Sequence, residues 1–134
     1  MKLTTLLTVS LSIELATGIA LIVAPSIVVY VLLNAALVGG GVALGRICGI
    51  GLFSLAIACL PLGQEKNTQA VRALFLYNLL AAFFLGYLRI EKEFVGFLLL
   101  PAWLLHLLLA LLFAAPAYQT LGVSGSETPK TTVK

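Results

Sequence analysis

Apolar residues run in four long stretches along the chain, at about Thr5–Ala24, Val42–Leu60, Ala70–Ile90 and Phe94–Ala115. Each is close to the roughly 20 residues that one bilayer-crossing helix needs. Pro25 and Pro61 close the first two, since proline cannot continue the helical hydrogen-bond ladder. Polar turns, "GQEKNTQ" and "RIEKE", flank the third. Between the first two spans, Ser26 to Gly41 is apolar over only about 12 residues before a glycine run, too short to cross a bilayer. It predicts an interfacial or re-entrant helix, with Tyr30 and Asn34 at the boundary. Pro101, inside the fourth span, predicts a local kink. The pattern therefore predicts an all-α fold, a transmembrane four-helix bundle with one short interfacial or re-entrant helix between spans 1 and 2. Residues 1–118 form the membrane domain, and the Ser/Thr/Gly/Pro-rich residues 119–134 a flexible cytoplasmic tail.

Composition confirms the class and removes one partner. The 134 residues are 61% hydrophobic and 10% charged, against roughly 45–50% and 25% for soluble domains. The net charge of +3 comes from Lys and Arg scattered singly, without a basic stripe, so nucleic acid is excluded as a partner. Lys2 before an apolar run also fits a secretory signal peptide. Glu14 interrupts that run, however, and no small-x-small cleavage site precedes Pro25, so a retained helix is expected. Lys2, Lys66, Arg72, Lys130 and Lys134 fall on one side of a four-span topology, and Arg89 and Lys92 on the other. The positive-inside bias then places both termini in the cytoplasm, with the chain in the bacterial inner membrane.

Against this apolar background, one polar position per span approaches a common depth. Glu14 and His106 lie near the midplane, Tyr77 and Asn78 about eight residues into the third span, and Arg46 about five residues from the outer end of the second. A carboxylate at that depth needs a partner or a functional reason to stay. Arg46 is the natural one, because a guanidinium offers two parallel donors across an expected offset of about 8–10 Å. Such a pair either pins helix to helix or lines a polar cavity that holds a ligand or a proton. The remaining arrangement has Arg46 snorkelling outward, with Glu14 protonated or paired to His106. His106 fits a hydrogen-bonded structural histidine or, with a single ligand sufficing, a pigment. Zinc needs three or four ligands, and none stand at useful spacing. Tyr77 and Asn78 are adjacent, about 100° apart, so only one can face the site squarely.

Gly41, Gly45 and Gly49 recur every four residues and form a groove for close helix packing, with Ala16, Ala20 and Ala24 as the matching face on the first span. A homodimer face is the second use of such a groove. Cys48 and Cys59 are separated by about 16 Å along one helix and cannot bridge. No Cys-x-x-Cys, P-loop, nucleophile elbow or zinc-protease motif occurs, and Trp103 and Tyr87 read as packing or interface residues.

The stretches 13–33, 41–60, 73–87 and 98–112 carry a Glu in the first helix, Gly-Arg-x-x-Gly in the second, Tyr-Asn in the third and Pro-Ala-x-x-x-His in the fourth. In this they resemble a group of small bacterial four-helix membrane proteins that are similar in turn to the DoxX-like class. The chain departs from that pattern at Leu60-Pro61, where an aromatic-rich helix end is expected. The resemblance implies that Glu14, Arg46, Tyr77, Asn78 and His106 form one site, and supplies no substrate. The function expected is non-enzymatic: binding of a lipophilic small molecule at the midplane, or service as an accessory subunit of a membrane complex or a homo-oligomer. The alternatives are an enzyme using Glu14 and His106 as acid and base, and proton or small-solute transport.

Overall fold

In the computed structural model, residues 2–61 and 67–122 are described. Among them the structure is all-helical, with α1 (Leu3–Val23), α2 (Pro25–Leu33), α3 (Gly40–Ala58), α4 (Thr68–Glu91) and α5 (Leu99–Gly122). All but α2 are long and apolar enough to cross a bilayer. The shortest of the four, α3 at 19 residues, reaches about 28 Å at 1.5 Å per residue, close to a hydrocarbon core of about 30 Å. Its outward side chains, such as Leu44 and Ile47, are exposed, as are Phe83 and Phe84 on α4. Apolar surface of this extent belongs in lipid, and the protein is membrane-embedded.

Local chemistry sets the ends. Pro25 ends α1 and also starts α2, where its fixed φ suits a first helical position and its missing N–H is no loss. Asn34 closes α2 in the left-handed conformation, φ 56°, with its N–H donated to the Tyr30 carbonyl at 2.7 Å. The Asn67 side chain caps α4 by accepting from the Ala70 N–H at 3.2 Å.

The fourth span differs from the sequence-based expectation at both ends. It starts at Leu99 rather than Phe94, because the preceding residues dock on α2: the Leu98 N–H donates to the Val31 carbonyl at 3.0 Å. Pro101 consequently falls in the first turn of α5, where no intrahelical donor is required, and produces no interior break. The interior proline is Pro116, and α5 continues through it to Gly122. Residues 119–122 are therefore helix rather than tail. The remainder of the expected tail, 123–134 with Lys130 and Lys134, lies outside the described residues, as does Lys66 in segment 62–66.

The helices pack as two tight pairs, α1 with α3 and α4 with α5, while α2 lies against α1, α3 and α5. Between the pairs the backbones approach at few points, and side chains fill the seam. On α1 the buried positions are 6, 7, 10, 11, 14 and 18, and on α4 they include 71, 74, 78 and 82. These spacings of three and four define one inward face on each helix. At the end where α1 begins, Leu6, Leu7 and Leu11 meet Ala56, Val71, Leu74, Leu109 and Phe113 in a single apolar cluster. Arg72 ties α4 to α5 at that end, its Nε donating to the Thr120 hydroxyl at 3.0 Å.

Within the α1–α3 pair the backbones touch at Gly49. A Cβ there would lie 2.7 Å from the Gly18 carbonyl oxygen and 2.8 Å from the Ile22 nitrogen. Gly45 instead faces the Pro25 ring, and Gly41 faces Leu37 in the lead-in to its own helix. The glycine groove is thus shared among three neighbours. Its partner on α1 is Gly18, while Ala16, expected in that role, is exposed. Gly49→Ala is expected to lower stability by about 1–3 kcal/mol, because a methyl group there meets backbone that cannot rotate away. Gly51→Ala, which would meet nothing within 4 Å, is expected to change little. Thermal unfolding of the two variants in detergent checks the contrast.

Candidate functional site

Directly above the apolar cluster, the inward faces of α1, α4 and α5 turn polar for about one helical turn. Ser10 and Glu14 stand four residues apart on α1, and both are fully buried. Asn78 continues the α4 seam one turn beyond Leu74 and is likewise fully buried. His106 enters from α5, half-buried, one turn before Leu109.

Asn78 fixes the state of His106. Its Nδ2 donates to the Leu74 carbonyl at 2.8 Å, and this turns Oδ1 toward His106 Nδ1, 2.8 Å away. Oδ1 can only accept, so His106 Nδ1 carries the proton and donates. A neutral ring would keep Nε2 as a lone-pair acceptor, and an imidazolium would donate from both nitrogens. Tyr77, half-buried on the flank of α4, sets its ring edge-on to His106, with centroids 5.6 Å apart and planes at 82°. Its hydroxyl comes within interaction range of the Glu14 carboxyl group. Both members of the Tyr77–Asn78 pair therefore serve the same layer, Asn78 squarely and Tyr77 from the side. Cys48 on α3 is close enough to act electrostatically on Tyr77.

Among the described residues, two buried side-chain oxygens have no hydrogen-bond partner, Ser10 Oγ and Glu14 Oε1. Elsewhere on α1, hydroxyls satisfy themselves on their own backbone: Thr8 donates to the Thr4 carbonyl at 2.9 Å and Ser12 to the Thr8 carbonyl at 2.8 Å. Ser10 does not, although it is the one hydroxyl of the three that is shielded from solvent. Leaving buried polar atoms unpaired costs roughly 1–3 kcal/mol each, and the layer holds two on adjacent turns of one face.

Arg46 is not among the partners. It is exposed, whereas Glu14 is buried beside Tyr77. Two features of the α1–α3 pairing separate the residues. Gly45 packs on Pro25, so the level of Arg46 on α1 is some ten residues, about 15 Å, beyond Glu14. Arg46 is also exposed on the surface of α3, while the contact with α1 is made by Gly49. The layer thus brings together Glu14, Tyr77, Asn78 and His106 and leaves out Arg46. It adds Ser10, which sequence reasoning missed, although its four-residue spacing from Glu14 was the available signal. Among the described residues no three His, Cys, Asp or Glu side chains converge as a metal site. No family model, curated protein or solved structure matches the chain.

Two outcomes follow from this geometry. Asn78→Leu is expected to cost about 1–3 kcal/mol, because it strands a buried histidine N–H. Combined with His106→Leu, the loss is expected to be smaller than the sum of the single losses, by a double-mutant cycle on unfolding in detergent. Glu14→Leu and Arg46→Leu, by contrast, are expected to add within about 0.5 kcal/mol, because the two residues share no contact. The same cycle reads both.

Proposed function

We propose that this chain is a non-enzymatic, integral membrane protein that holds the polar head of a lipophilic small molecule in the layer between α1, α4 and α5. One observation carries the reading: Ser10 Oγ and Glu14 Oε1 are fully enclosed, adjacent on one helix face and without a partner among the described residues. In hydrocarbon a polar atom cannot turn to water, and a group that remains unpaired there at a cost is a functional site by default. Around it, Asn78 and Leu74 hold His106 in one orientation, which is the fixed arrangement a small polar head requires. The apolar body of such a ligand would lie in the side-chain seam between the two helix pairs.

The same reading places the chain in the bacterial inner membrane with both termini in the cytoplasm and groups it with the DoxX-like class. What supports the orientation is the count of Lys and Arg along the sequence, with Lys2, Lys66, Arg72, Lys130 and Lys134 on the side of the termini against Arg89 and Lys92 on the other. What supports the grouping is the motif set of Glu14, Gly45-Arg46, Tyr77-Asn78 and Pro101 to His106.

Co-purification tests the binding reading. Full-length protein extracted in mild detergent is expected to carry one amphiphile enriched over bulk lipid, seen by native mass spectrometry and in solvent extracts. Glu14→Gln is expected to lower its occupancy several-fold, and Arg46→Leu to leave it unchanged. Equal amphiphile content in wild type and Glu14→Gln would overturn the proposal.

A further inference from the structure

Deepening that binding reading, and resting on it, we infer that the ligand is a lipophilic organic cation, taken up at Glu14 in exchange for a proton. The inventory of free valences sets the sign of the charge. Glu14 Oε1 is open, and a carboxylate can only accept. His106 has its Nδ1 proton committed to Asn78. Asn78 is spent on Leu74 and His106. Ser10, able to act either way, and Tyr77, already beside Glu14, are the remaining groups. Once its proton has left, Glu14 gives this layer a negative group, which suits a positive, donor-bearing or charge-diffuse head and repels an anion.

No cation of the described chain can take that place. Arg46 points away from the layer, as its exposure and register show. Lys2 precedes α1 and Arg72 is exposed and bound to Thr120, while Arg89 and Lys92 lie at the far end of α4. Among the described residues an ionised Glu14 therefore has no Lys or Arg as countercharge, and a buried unpaired carboxylate is strongly disfavoured. Two species can neutralise it there, a proton or a cation brought by the ligand, and both need the same oxygen.

The surroundings select the kind of cation. A compact, strongly hydrated ion needs several oxygen ligands to replace its water, and the layer has too few. A cation whose charge is spread over aryl or alkyl groups is cheaply desolvated and asks for no such shell. The route fits as well. The two helix pairs meet through side chains rather than backbone, so an apolar body can part them from within the bilayer without breaking the glycine contact inside α1–α3.

Tetraphenylphosphonium is the probe, with the isosteric neutral tetraphenylsilane as control, on the full chain in detergent by equilibrium dialysis. The titratable groups on the helices packed around Glu14 are Tyr77 from α4 and, against the Tyr77 ring, His106 from α5. The expected result is saturable binding of the cation and none of the silane. Affinity is expected to fall as pH falls, by up to about tenfold per pH unit where one proton competes. Glu14→Gln is expected to abolish binding and Glu14→Asp to keep part of it. The pH dependence of the wild type needs no variant to fold. Retained binding in Glu14→Gln, or binding independent of pH, overturns the inference. If the cation fails to bind while a neutral amphiphile co-purifies in a Glu14-dependent manner, the cation inference falls and the binding reading stands. If neither is seen, both fall.

Discussion

In the bilayer core, a polar atom that is not satisfied inside the protein is not satisfied at all. The organisation of this bundle follows from how it meets that constraint at one level and declines to meet it at one point. Asn78 closes a chain of bonds from the Leu74 carbonyl to His106, and the hydroxyls of Thr8 and Ser12 fold back on their own helix. Ser10 and Glu14, a turn apart, do neither. The layer is rigid on the α4–α5 side and open on the α1 side, an asymmetry that a purely structural cross-link between helices would not need.

The apolar cluster below and the glycine contact above make such a layer tolerable. Leu7, Leu11, Leu74 and Phe113 close the α1-start end of the seam, and Gly18 against Gly49 closes the α1–α3 side one turn beyond Glu14. The polar atoms are confined to a slab about one turn thick, so the unfavourable burial stays local while the rest of the interior is ordinary hydrocarbon packing.

Much of this was legible in the residues. Runs of apolar length fixed the spans to within a few positions, and the short run after Pro25 identified α2. Isolated polar residues named four members of the layer. What the residues could not convey was the rotation and register of one helix against another. Arg46 looked like the partner of Glu14 because both are charged and lie at comparable depth. The seating of Gly45 on Pro25 decides otherwise, and that contact depends on a turn whose geometry no periodicity encodes. Ser10 escaped notice because α1 carries several hydroxyls, and only packing distinguishes the one that faces inward. Pro101 suggested a kink because the helix start was placed five residues early, before the docking of Leu98 on Val31 was known.

The attachment of α2 gives the two ends of the molecule different mechanical characters. Gly96 presses directly against the Leu32 carbonyl, so the connection between α4 and α5 rests on the backbone of α2, and α2 in turn continues from α1. Opposite, the pairs are bonded over a broad apolar area. Any side chain at residue 96 would therefore meet the backbone of α2 and lift the α4–α5 connection off it, so the joint between the two pairs at this end tolerates nothing larger than glycine.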